Sequence, residues 1–247
     1  MAKLPLKKTV SKKQAAKRVA PIATKAKPAT KVAPKAAKVD PKLAAWLAPK
    51  YRSPSASMKT YTTAKPFPHV VLPRIFAQAK ADALREAILN LANNGGFTHK
   101  ESDLFSLAQT ADLNATTDPA IKELRDLFAS PEWRAYLTAL TGVPLAGGAL
   151  DIGGSLYQDT DFLLCHDDQV AGRRLAYVYY LGPDFTPKEG GALTLLNTKN
   201  GKPGTVVHRY PPKYNTLALF TVSDKSWHAV EEVLAEKPRL SINGWFH

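Results

Sequence analysis

The chain has 247 residues, 45% of them hydrophobic and 22% charged, with a formal net charge of +13, enough for one or two packed domains. The charge is partitioned: residues 1–50 hold 14 of the 34 Lys and Arg against one of the 21 acids, Asp40, which leaves 20 of each in residues 51–247. That excludes a uniformly basic nucleic-acid-binding fold and points to a neutral domain on a basic arm.

The arm is built of Lys, Ala, Pro, Thr and Val, as in Ala23-Thr24-Lys25-Ala26-Lys27-Pro28. Its prolines break helices, its lysines repel one another, and it has little apolar surface to offset the entropy of ordering. A disordered tail and linker is therefore expected over residues 1–60, with the folded domain over 61–247. Two readings of the arm stand side by side: a solvated solubility tail, or non-specific attachment to RNA, DNA or ribosomes through released counterions. The sequence has no apolar run of the length needed by a membrane span or a signal-peptide core, so no membrane partner is expected. The single cysteine, Cys165, rules out an intrachain disulfide framework and suits a reducing compartment, the cytoplasm or a eukaryotic nucleus.

Taken in order, Leu43-Ala44-Ala45-Trp46-Leu47 is a short apolar island, and Tyr51 to Lys65 reads as Ser/Thr-rich linker. Pro66 to Leu72 reads as a strand. From Ile75 to Leu91 apolar residues recur at helical spacing, closed by Asn93-Asn94-Gly95-Gly96. Asp118-Pro119 and Ser130-Pro131 each give an N-cap followed by proline at the first helical position, and Gly142 stops the second of these helices. Strands follow, clearest at Leu175–Leu181, Ala192–Leu196 and Thr216–Val222. Helices first and strands afterwards predict an α+β fold, a jelly roll with helices packed on one sheet.

The chemistry centres on Asp161-Phe162-Leu163-Leu164-Cys165-His166-Asp167-Asp168. On a strand, alternate residues share a face, which would put Phe162, Leu164, His166 and Asp168 on one side and turn Asp167 away. Two His and a carboxylate form the facial ligand set of non-haem Fe(II) oxygenases, and His166 with Asp168 supplies two of the three. For the third, His69 and His99 lie among the early elements, His247 is terminal, and His208 has no anion-binding partner downstream. His228 follows an apolar strand, and eleven residues later come Arg239 and Ser241, a guanidinium fork and a hydroxyl suited to a planar carboxylate.

His166-x-Asp168, His228 and Arg239-x-Ser241, in that order, resemble the Fe(II)/2-oxoglutarate-dependent dioxygenases. Leu164–Asp168, Arg173-Arg174, Gly190-Gly191-Ala192-Leu193 and Arg239–His247 resemble more closely the prolyl 3,4-dihydroxylase family, which modifies a small-subunit ribosomal protein. The likeness runs from about Pro66 to the end and includes Lys100–Asp103 and Gln109–Leu113. Eukaryotic members carry a second, non-catalytic barrel beyond the region matched here. The resemblance implies a double-stranded β-helix holding Fe(II) on His166, Asp168 and His228. It implies 2-oxoglutarate and O2 as cosubstrates, ascorbate as reductant, and a distal carboxylate held by Arg239 and Ser241 with Tyr157 and Tyr180 in contact. It also implies hydroxylation of a prolyl residue in a protein, with release of succinate and CO2. Arg173-Arg174 stays open between a surface turn and a substrate contact, and Gly190-Gly191 between a turn and a close substrate approach. A hydroxylase of a free amino acid or other small molecule would use the same iron site. A nucleic-acid- or ribosome-binding protein with a vestigial barrel is disfavoured by the complete ligand set.

Overall fold

The computed structural model describes residues 39–145 and 147–247. The basic arm lies, over residues 1–38, outside the described residues. Residues 41–60, expected as linker, are instead part of the folded unit. Helix α1 (Pro41–Trp46) opens on Asp40, whose Oδ1 accepts from the backbone N–H groups of Lys42 and Leu43. A 3₁₀ turn and helix α2 (Ser55–Thr63) follow. Leu43, Trp46, Leu47, Tyr51 and Tyr61 all lie in the main core. Trp46 meets Phe76 edge-on at 5.3 Å, and Tyr51 donates its hydroxyl to the Pro73 carbonyl. A six-residue helix cannot stand alone in water, so packing against the rest of the chain makes these helices, and composition conceals them.

Helices α3 (Gln78–Asn93), α4 (Pro119–Ala129) and α5 (Pro131–Thr141) form as their end signals predict. Asp118 Oδ1 accepts from the N–H groups of Ala120 and Ile121, Ser130 Oγ accepts from Trp133 N–H, and Gly142 closes α5 at φ 75°.

The strands are β1 (His69–Pro73), β2 (Phe97–Ser102), β3 (Phe105–Thr110), β4 (Leu150–Tyr157), β5 (Phe162–His166) and β6 (Leu175–Tyr180). They continue as β7 (Leu193–Lys199), β8 (Lys202–Tyr210), β9 (Thr216–Thr221), β10 (His228–Val230) and β11 (Arg239–Phe246). All pair antiparallel in the order β1-β9-β6-β11-β4-β3-β5-β10-β7-β8, with β2 on β3. The sheet curls into the jelly roll that the sequence predicts, with helices on one face. Alternation gives the sheet two buried faces. On β6, Leu175, Tyr177 and Tyr179 join the core beneath the helices, while Ala176 and Tyr180 join an interior cluster with Leu193, Leu195 and Phe220. On β11, Leu240, Ile242 and Phe246 join the helix-side core, whereas Arg239, Ser241, Asn243 and Trp245 line the interior cleft. Among the described residues no helix is long and apolar enough to cross a membrane.

Candidate active site

The cleft holds His166, Asp168 and His228 with one potential ligand atom from each within 4.8 Å of the others. No other such group of three or more His, Cys, Asp or Glu occurs among the described residues. His228 stands directly opposite His166 across the β5–β10 pair, with ring centroids 4.2 Å apart. Asp168 bridges them: Oδ1 lies 3.4 Å from His166 Nε2 and Oδ2 lies 3.4 Å from His228 Nε2.

The route to this cluster differs from the simple alternation expected from the sequence. Val230 pairs with Leu163 while His228 pairs with His166, so the register shifts by one residue between the two pairs. This is a bulge, which re-aims side chains next to sites. Leu163 therefore lines the cleft with His166, while Leu164, expected on the cleft face, is 48% exposed. Asp168 lies beyond the strand at φ 63°, a left-handed conformation that Asp tolerates better than most residues. Asp167 is kept out because its carboxylate accepts the Gln169 N–H at an exposed turn.

The imidazoles are oriented from behind. His166 Nδ1 lies 2.8 Å from the Leu164 carbonyl and His228 Nδ1 lies 2.7 Å from that of Ser226. A carbonyl only accepts, so each Nδ1 carries a proton, which leaves Nε2 as the ring atom turned to the cluster and able to bind a metal. Burial would raise the Asp168 pKa, but the two imidazoles hold its carboxyl well below the usual range. Burial would lower that of His166, but hydrogen bonding to Asp168 and its charge outweigh this and raise it. Cis ligands of a six-coordinate ion with bonds of about 2.1 Å stand roughly 3 Å apart, so donors within 4.8 Å of one another draw together when they close around an ion. Two imidazoles and one carboxylate leave coordination positions for other molecules.

Arg239 is 2% exposed. Its Nε donates to the Gly191 carbonyl at 2.8 Å and its Nη2 to the Tyr180 hydroxyl at 3.4 Å. The guanidinium carbon lies 4.7 Å from the Tyr157 ring centroid and 5.1 Å from that of Tyr180, geometry that favours a buried cation. Burial pushes the Tyr157 hydroxyl up to about 12 and raises that of Tyr180, with Arg239 opposing both shifts, so both rings stay neutral. Ser241 faces the same space at 1% exposure, and its Oγ has no hydrogen-bond partner among the described residues. A buried hydroxyl without a partner is costly unless a ligand satisfies it. A buried guanidinium beside an unpartnered hydroxyl fits a carboxylate. The structure thus brings six of the seven residues singled out in the sequence to one cleft, His166, Asp168 and His228 with Arg239, Ser241 and Tyr157, while Tyr180 touches the site through Arg239.

The sequence reading missed one role and two residues. Gly191 serves through its carbonyl, which anchors Arg239; it sits at φ 63°, and a Cβ there would come within 3.3 Å of Arg239 Cδ. Asn243 and Trp245 lie on the Arg239 face of β11, where alternation could have found them.

Comparison with known proteins identifies the fold. Residues 152–247, which include every residue of the cluster, match the 2OG-Fe(II) oxygenase superfamily. The chain belongs to that superfamily. Membership brings Fe(II) as the metal, with 2-oxoglutarate and dioxygen as cosubstrates and ascorbate as a usual addition. The oxygenase is 40% identical over 185 residues to a prolyl 3-hydroxylase of Xenopus laevis, covering 74% of this chain and 35% of that protein. It is 34% identical over 198 residues to a prolyl 3,4-dihydroxylase of Ostreococcus tauri, covering 74% and 38%. The chain thus spans little more than a third of the length of these relatives. Among solved structures, a Pseudomonas putida prolyl-4-hydroxylase aligns at TM-score 0.62 and 18% identity, covering 78% of this chain and 98% of that one. The α-ketoglutarate-dependent epimerase SnoN of nogalamycin biosynthesis aligns at TM-score 0.59 and 15% identity, covering 78% and 82%. Likeness at these identities establishes the fold alone, and a hydroxylase and an epimerase among these structures show that the fold serves different reactions.

Proposed function

We propose that this oxygenase hydroxylates a prolyl residue of a protein substrate. The observation that carries the reading is the 34–40% identity, across most of the folded unit, to proteins named as prolyl 3-hydroxylase and prolyl 3,4-dihydroxylase. In this proposal His166, Asp168 and His228 hold Fe(II), while Arg239 and Ser241 take the distal carboxylate of 2-oxoglutarate. Tyr157 and Tyr180 flank the guanidinium and keep water from it. When bound, the iron and its cosubstrates supply the oxidising equivalent, and succinate and CO2 are released. The protein contributes position and a cleft that shields the reacting atoms.

The cleft shares Gln109, Ser155, Asn243 and Trp245 with a neighbouring polar groove that also takes in Thr110, Asp151 and Arg173, which suits the main-chain groups flanking a prolyl residue. The substrate we propose is ribosomal, and residues 1–50, with their 14 basic side chains, would help by non-specific attachment to RNA. On this reading the reaction is cytoplasmic, or nuclear in a eukaryote. Incubating a cell extract with the enzyme, Fe(II), ascorbate and 2-oxoglutarate tests the reading by mass spectrometry. One added oxygen on a prolyl residue is expected, dependent on 2-oxoglutarate. Oxygen appearing only in a free amino acid or other metabolite would contradict it.

The cosubstrate end has its own test. Losing one partner of a desolvated guanidinium–carboxylate pair costs about 2–5 kcal/mol. Arg239→Ala is therefore expected to raise the 2-oxoglutarate concentration needed for half-maximal turnover by roughly 30-fold or more. Metal affinity without 2-oxoglutarate should change little. An unaltered requirement for 2-oxoglutarate would remove Arg239 from the site.

A further inference from the structure

Asp168 lacks the support that strand pairing gives the two imidazoles. It lies two residues beyond the end of β5 and sits at φ 63°; its backbone is held by a turn in which Val170 N–H donates to its carbonyl. Its carboxylate has one donor other than the two imidazoles among the described residues. Trp245 Nε1–H donates to Oδ2 at 2.9 Å, the oxygen that also faces His228.

The indole is itself fixed. The Arg173 guanidinium carbon lies 3.4 Å from the Trp245 ring centroid, and Arg173 Nε lies 3.6 Å from Asp151 Oδ2. Asp151 stands directly opposite Trp245 on β4, and the same carboxylate oxygen lies 3.1 Å from His247 Nε2. Arg173 is thus part of a stack leading from the terminal histidine to Asp168.

We propose that Trp245 is a positioning residue for the metal ligand Asp168, and that Arg173 clamps the indole in place. An isolated carboxylate on a turn rotates freely about its χ angles. An indole N–H anchored in a strand leaves it one orientation, with both oxygens turned toward the imidazoles. Pre-orienting the ligand lowers the entropy lost when a metal binds. This inference rests on the proposed iron site, and the experiment separates the two.

Co(II) is titrated calorimetrically into the metal-free full chain, without 2-oxoglutarate or turnover, and the metal-free melting temperature is measured in parallel. Trp245→Phe keeps an aromatic face for Arg173 to stack on and removes the N–H. It is expected to weaken Co(II) binding by about 10- to 100-fold, with the metal-free melting temperature unchanged. Arg173→Gln, which leaves the indole N–H in place, is expected to weaken binding in the same direction by less. Wild-type Co(II) affinity in Trp245→Phe overturns the proposal. Should that variant not fold, unchanged affinity in Arg173→Gln overturns it instead. An Asp168→Asn control that still binds Co(II) as tightly as wild type would mean that the iron-site reading itself has failed.

Discussion

Asp168→Asn is expected to abolish 2-oxoglutarate-dependent turnover and metal binding together, while Asp167→Ala keeps both. The comparison isolates one charge. Asn tolerates the left-handed φ of 63° found at position 168 about as well as Asp does, so backbone strain adds little to the loss. What disappears is the anion, which lies 3.4 Å from each imidazole Nε2 and is the one carboxylate in the cluster. Asp167 is its neighbour in sequence, yet it only caps the Gln169 N–H. Metal content by elemental analysis and succinate release read out the two variants. Full metal loading in Asp168→Asn, or an inactive Asp167→Ala, would mean that the wrong aspartate has been assigned.

The second large effect concerns the N-terminal boundary. Removing residues 1–38 is expected to leave the melting temperature of the folded unit within a few degrees of the full chain. Removing residues 1–55 is expected to unfold it. The longer deletion strips Leu43, Trp46, Leu47 and Tyr51 from the core. Burying each such side chain contributes about 1.5–3 kcal/mol, so the four together amount to roughly 6–12 kcal/mol. That is comparable to the whole stability of an ordinary domain, about 5–15 kcal/mol. Trp46→Ala alone should cost about 3–5 kcal/mol, read as a lowered denaturant midpoint. An unchanged melting temperature after deletion of residues 1–55 would show that α1 and the turn after it add nothing to the core.

These two cases also mark where the sequence is readable and where it is not. Helices α4 and α5 could be placed because Asp118-Pro119, Ser130-Pro131 and Gly142 are local signals with local causes. The segment that forms α1 and α2 carries the same signal at Asp40-Pro41, but its Ser, Thr and Pro content suggests linker. Only the apolar island around Trp46 hinted at docking. The β2–β3 hairpin escaped notice for a related reason. Residues 98–102 are all exposed, so no apolar alternation marks β2 as a strand.

At the site, residue types and their order along the chain were informative, but the strand argument linking them was too simple. Alternation assumed an unbroken β5, whereas the bulge opposite β10 turns Leu163 inward and leaves Leu164 exposed. Asp168 reaches the imidazoles through a turn, which no periodicity encodes. On β11, where the strand is regular, alternation works: Arg239, Ser241, Asn243 and Trp245 share the cleft face. The Gly191 carbonyl lay beyond this kind of reading, since a backbone acceptor carries no side-chain signal.

The most direct test of the proposed reaction counts succinate and hydroxylated prolyl residues in one mixture of enzyme, protein substrate, Fe(II), ascorbate and 2-oxoglutarate. The account expects one succinate for each oxygen added to a prolyl residue, with both absent in Asp168→Asn. Succinate formed without prolyl hydroxylation, matched instead by oxygen in a small molecule, would contradict it.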